Sequence, residues 1–139
     1  MASLVKRTNL FLPSIAAGAR DHPVARRRRP SLSLLRGYDW VLPPEGSYTR
    51  LAIEQLFLRS GLKGPRPAIT SMNFHANLRL AAEGSLLAVA PRSAAVAVRD
   101  VLDLVLLPMD WGREDTAVTL LWREASRGNP ALVALLECF

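Results

Sequence analysis

Three apolar residues, Trp40-Val41-Leu42, run into Pro43-Pro44-Glu45-Gly46-Ser47, and residues at helical spacing follow at once. A strand that ends in a proline–glycine turn and passes straight into a helix is the hand-over made at the carboxyl edge of an α/β sheet. Such sheets hold their ligands in the crevice outside that edge. At the start of the helix, Gly46 and Ser47 can turn backbone N–H groups and a hydroxyl towards an anion or a polar ligand. The unit predicts a small-molecule crevice.

The rest of the chain repeats the alternation. A brief helical turn is expected over 32–35, opened by Ser31 after Pro30. Between Ser47 and Ser60, Leu51, Ile53, Leu56 and Phe57 recur at helical spacing, and Gly61 closes the segment. Ala68-Ile69-Thr70 reads as a second strand, followed by a helix over about 73–83 with Gly84 as its cap. Leu86 to Ala90 is continuously apolar, as in a strand buried on both faces, and Pro91 stops it. An alanine-rich helix over 92–99 and strands over 101–107 and 116–122 come next, with Asp110, Gly112 and Asp115 as turn residues between the strands. Asn129-Pro130 opens a closing helix. Strands alternating with helices, and apolar runs in place of strict period-two patterns, predict an α/β fold: a mainly parallel sheet with helices on both faces.

Composition narrows the function. Half of the 139 residues are hydrophobic and 22% are charged, which favours a folded chain over a disordered one. The net charge of +6 is concentrated in Arg26-Arg27-Arg28-Arg29, between Pro23 and Pro30, and without that block the chain is nearly balanced. The block reads as a solvated connector, with a patch for DNA phosphate or an acidic partner as the alternative. No aromatic residues interleave with it, so a stacking platform for single strands is not expected. The single cysteine, Cys138, has no partner for a disulfide or a metal site, which fits a reducing cytoplasm. His22 and His75 have no metal-ligand spacing, and no zinc or other cofactor is expected. Lys6 and Arg7 before the mildly apolar 10–19 stretch mimic a secretory leader, but Asn9, Pro13 and Ser14 interrupt it. No run approaches the ~20 apolar residues of a membrane span.

Several phrases, in order, resemble one family. His22-Pro23-Val24-Ala25 is similar to the His-Pro-Leu phrase in the second half of the effector-binding domain of LysR-type transcriptional regulators. Asp39 to Ser47, with Arg50 soon after, resembles the strand and loop that come next, closest to the branch typified by the galactose-binding-protein regulator. Phe57-Leu58-Arg59-Ser60-Gly61-Leu62 with Pro65-Arg66-Pro67, Ala88-Val89-Ala90-Pro91-Arg92-Ser93, Leu106-Leu107-Pro108, Leu120-Leu121-Trp122-Arg123 and Asn129-Pro130-Ala131 continue the series. The match spans roughly residues 19–139. A second glycine that many members carry after the position of Gly84 is replaced here by Ser85-Leu86.

The resemblance implies one lobe of a type II periplasmic-binding-protein-like domain, plus a crossover strand and helix. Residues 19–106 would form the second effector-binding subdomain, and 107–139 the return strand and last helix that complete the first. Residues 1–18 are expected to be a divergent segment without strand alternation. The winged helix-turn-helix of the family is expected to be missing, so DNA would be reached only through a domain outside this sequence. The family does no chemistry: an effector in the cleft shifts an equilibrium that the DNA-binding domains read. Carried onto this sequence, the cleft wall would be Pro43, Pro44, Glu45, Gly46 and Ser47, with Thr70, Ser71 and Met72 beside it. Ser47, Thr70 and Ser71 could donate to a sugar hydroxyl or a small organic acid, and Glu45 disfavours a doubly charged anion. Ser47, Thr70 and Ser71 could equally be helix caps, and His75 a half-buried polar residue.

An enzyme is not expected. There is no GxSxG elbow, no GxGxxG and no GxxxxGK[ST], and Glu45 and Glu54 do not share one element. The effector-sensing portion of a LysR-type regulator is the favoured function. The alternatives are a stand-alone binding or dimerisation module, able to pair with an intact regulator, and an exported solute receptor. The return strand around 116–123 would present an open edge with Val118, Leu120 and Leu121 poorly covered, so self-association is expected.

Overall fold

The computed structural model describes residues 3–12, 14–109 and 116–139. In chain order the strands are β1 (Leu4–Leu12), β2 (Ser14–Ala19), β3 (Trp40–Leu42), β4 (Pro67–Thr70), β5 (Leu87–Pro91), β6 (Leu104–Leu107) and β7 (Thr116–Arg123). The α-helices are α1 (Leu32–Arg36), α2 (Tyr48–Arg59), α3 (Phe74–Glu83), α4 (Arg92–Val98) and α5 (Pro130–Cys138), with 3-10 turns at Pro23–Arg26 and Glu124–Ser126. Pro13 and the expected turn residues Asp110, Gly112 and Asp115 lie outside the described residues. The chain divides into two compact units, Pro13–Thr116 and Met1–Leu12 with Ala117–Phe139.

In the larger unit a five-stranded sheet has the order β4-β3-β5-β2-β6. β3 is parallel to both β4 and β5, whereas β2 is antiparallel to β5 and to β6. Four strands therefore point one way and β2 runs against them from inside the sheet, which makes it mostly but not purely parallel. β2 was not expected: Ser14–Ala19 is built of small residues and carries no large β-branched run to announce a strand. Its neighbours make it one, since β5 and β6 supply hydrogen-bonding partners on both sides.

Both faces of the sheet are covered, as the continuous apolar runs predict. Alternate residues Trp40, Leu42, Leu87 and Val89 pack on one face with Leu35, Ile53 and Phe57 from α1 and α2. Val41, Ala17, Ala88 and Ala90 pack on the other with Leu78, Ala81 and Ala95 from α3 and α4. The small side chains of the second face let α3 lie close on the sheet. Trp40 satisfies its buried indole N–H by donating to Leu35 O at 3.0 Å, and its ring meets Phe57 edge-on. Gly61, at φ +72°, closes α2: Gly61 N–H donates to Leu58 O and Leu62 N–H to Phe57 O, the paired bonds of a Schellman cap.

The buried His22 ties the start of this unit together. Its Nδ1 accepts from Val24 N–H, and its Nε2 lies 3.1 Å from Ser85 O, so the network takes the neutral tautomer with the proton on Nε2. Ser85 contributes only its backbone carbonyl to this bond.

In the smaller unit β1 and β7 form a two-stranded sheet. Glu124 N–H donates to Ser3 O, while Thr8 and Thr119 share a hydroxyl hydrogen bond of 2.6 Å, so the strands run antiparallel. The first residues, expected to carry no strand, are the pairing partner of the return strand. One edge of β7 is therefore occupied; Leu121 remains exposed, and Val118 and Leu120 are half-buried. α5 begins at Pro130, with Asn129 Oδ1 accepting from Ala131 and Leu132 N–H. Among the described residues no helix is long and apolar enough to cross a membrane.

Candidate functional site

The parallel strands β3, β4 and β5 end along one edge of the sheet, at Leu42, Thr70 and Pro91. β2 starts at the same edge, since Ser14 is opposite Pro91. Two loops leave it side by side. Ser71 N–H donates to Leu42 O at 3.0 Å, which extends the β3–β4 pairing past Thr70 and fixes the 70–72 loop against the 43–47 loop. All eight residues expected at the site, Pro43, Pro44, Glu45, Gly46, Ser47, Thr70, Ser71 and Met72, lie in these two loops or at the strand end that opens one of them.

The 43–47 loop is shaped by its own chemistry. Gly46 adopts φ +78°, a left-handed conformation that the proline–glycine phrase anticipates. Pro44 O accepts from Ser47 N–H at 3.2 Å and from Ser47 Oγ at 2.6 Å, closing a tight turn. Ser47 stands at the N-cap of α2 but makes no side-chain cap bond. The hydroxyl is taken up by the turn, so no side chain caps the first N–H groups of this twelve-residue helix. An oxygen-rich ligand would find there both donors and the positive end of a helix dipole.

The 70–72 loop is braced differently. Ser71 Oγ accepts from Asn73 N–H, and Asn73 Oδ1 caps α3 by accepting from Ala76 N–H. Asn73 is thus the helix cap, where Thr70 and Ser71 were candidates, and Ser71 supports the turn into it. Asn77, fully buried, donates from Nδ2 to Ser71 O at 2.9 Å, while its Oδ1 has no protein partner. Thr70 and Met72 are exposed. His75, on α3, is exposed and not half-buried as expected.

Sequence reasoning left out two supporting residues. Arg50, only 6% exposed, donates from Nε to Glu54 Oε1 at 2.6 Å and reaches Pro43 O with Nη1 at 3.4 Å. It holds the end of β3 to the first turn of α2. Its spacing of four from Glu54 was the available signal, an i,i+4 pair on a helix. Asn77 could be found only as a polar residue amid the apolar positions of α3. Glu45 lines a cavity of about 500 Å³ with Arg50, Leu51, Glu54 and Leu58, on the α2 side of the loop.

No group of acidic, histidine or cysteine side chains among the described residues could hold a metal ion. Arg20 has its pKa raised by its hydrogen bond and ion pair with Asp103. That pair sits where β2 ends and β6 begins, at the opposite edge of the sheet.

The comparisons bear on the family and the fold. The family model described as the LysR substrate binding domain matches residues 10–139. The HTH-type transcriptional regulator GbpR of Rhizobium radiobacter is 40% identical over 50 residues, which make up 36% of this chain and 17% of that protein. Among solved structures, the effector binding domain of QuiR in complex with shikimate is similar with a TM-score of 0.75 at 16% identity, over 96% of this chain and 62% of that one. The regulatory domain of CcmR from Synechocystis PCC6803, in complex with 2-PG, is similar with a TM-score of 0.74 at 20% identity, over 99% and 65%. The chain thus spans less than two thirds of each of these relatives.

Proposed function

The chain belongs to the LysR substrate-binding domain family, and from that premise we propose that it senses a small-molecule effector for a transcriptional regulator, holding it against the 43–47 and 70–72 loops. The observation that carries the reading is the Ser71–Leu42 bond, which sets the two loops side by side next to a helix start that no side chain caps. Ligand oxygens can be met there by backbone N–H groups, and by the Thr70 hydroxyl. The effector in this reading is a sugar or a small organic acid. The chemistry of shikimate, a hydroxylated acid bound by QuiR, is of that kind. Glu45, exposed in the loop, works against a second negative charge on the ligand.

The domain does no catalysis in this reading. Ligand binding shifts the population of two conformations, and the output is read by DNA-binding domains carried outside this sequence. Association with a second copy or with a longer regulator completes the assembly, and the cytoplasm is the compartment where such a regulator works. The test is a melting curve monitored by far-UV circular dichroism, repeated with a panel of sugars and small hydroxy acids. A cooperative transition raised in a saturable way by one panel member is the expected result, since binding to the native state alone stabilises it. A broad melt that no panel member moves would contradict the proposal.

A further inference from the structure

Next to the cavity that Glu45 lines, and sharing Lys63, Gly64 and Arg66 with it, a second cavity of about 560 Å³ is lined by Ser33, Arg36, Gly37, Lys63, Gly64 and Arg66. Ser33 and Arg36 of α1 and its C-cap Gly37 come just before β3, and the other three residues precede β4, so the cavity lies at the amino edge of the sheet. Three of its six lining residues are cationic and none is acidic. Among the described residues neither arginine nor the lysine forms an ion pair or a side-chain hydrogen bond, whereas Arg20, Arg50, Arg79, Arg99 and Arg127 each have an acidic partner.

Like charges gathered around one hollow repel one another, and a multiply charged anion relieves that repulsion. Guanidinium groups present forked N–H donors that match the oxygens of a phosphate, and the lysine adds a compact point charge. No aromatic or large apolar side chain lines the cavity, so a nucleobase would find nothing to stack on.

We propose that this cavity is a second binding site, for a compact phosphate-bearing anion with two or more negative charges, separate from the effector edge. It joins residues 36 and 63–66, which flank the amino ends of β3 and β4, the same strands whose carboxyl ends carry the effector loops. A bound anion would therefore brace the sheet from the side opposite the effector.

The experiment is a titration of the full 139-residue chain with tripolyphosphate by calorimetry, at ionic strength held constant with sodium chloride. Saturable binding is expected, lowered about tenfold or more in Arg36→Gln/Lys63→Gln/Arg66→Gln. The charge-keeping variant Arg36→Lys/Lys63→Arg/Arg66→Lys should retain most of it, which separates loss of the site from loss of the fold. Replacing Arg26 to Arg29 with glutamine should leave it within about twofold. Absence of saturable binding, binding that survives the triple glutamine variant, or binding that is lost with the arginine block would each overturn the proposal. The last of these would point to the block as a site for a nucleic-acid backbone. A failure of the effector panel leaves this result untouched, because none of the residues of the 43–47 and 70–72 loops lines this cavity.

Discussion

The hydroxyl of Ser47 donates to the carbonyl oxygen of Pro44 at 2.6 Å and so does not cap the helix that Ser47 precedes. A residue type that usually satisfies a helix start instead tightens the turn before it. The helix start is left to water or to a ligand.

Ser47 therefore separates stability from binding. Ser47→Ala should cost about 1 kcal/mol in a urea titration, the worth of one part-buried hydrogen bond. Ser47→Asp should hold the melting midpoint near the parent value, because aspartate caps helices well and favours the positive dipole end. The same substitution should remove the response to an acidic effector, since it places a carboxylate where the ligand's would lie. An unchanged ligand response in Ser47→Asp would argue against the helix start as part of the site.

Gly46 is constrained by backbone alone. Its φ is +78°, and a Cβ built there meets nothing within 4 Å. Gly46→Ala should cost about 1 kcal/mol through the left-handed conformation, without any steric clash. Equilibrium unfolding of the variant measures this directly.

The chain announces some of this and conceals the rest. Trp40-Val41-Leu42, the helix after Ser47 and the proline–glycine turn are legible because apolar period and turn chemistry agree locally. The residues of the two loops follow from that frame. Strand β2 is not legible, because Ser14 to Ala19 carries mostly small residues and becomes a strand through β5 and β6, some seventy and ninety residues away. The pairing of β1 with β7 is hidden for the same reason, as a register between chain ends leaves no local trace. Arg50 and Asn77 escape because polar residues on a helix look like surface until the packing is known.

Arg50 is the stability anchor of the loop. Arg50→Gln removes the bond to Glu54 and weakens the hold on Pro43 O, and should cost about 1–3 kcal/mol, the partial exposure of Glu54 keeping it below a fully buried pair. Arg50→Lys should recover only part of this, since the lysine has no fork to serve both partners. Both values come from denaturant titration.

Asn77 should matter to the 70–72 loop more than its lone bond suggests. Asn77→Ala leaves the Ser71 carbonyl without its buried donor and opens a small cavity beneath it, for a loss of about 1–3 kcal/mol. Faster hydrogen exchange at Ser71 and Met72 should accompany it. Exchange unchanged at those two amides would mean that the Leu42 bond alone holds the loop.

The most direct measurement is a two-dimensional amide NMR titration of the isotope-labelled chain with whichever sugar or hydroxy acid raises its melting point. The largest shifts are expected on Glu45, Gly46, Tyr48 and Thr49 and on Thr70, Ser71 and Met72, and should saturate together. Shifts centred elsewhere in the sheet, with these seven amides unmoved, would contradict it.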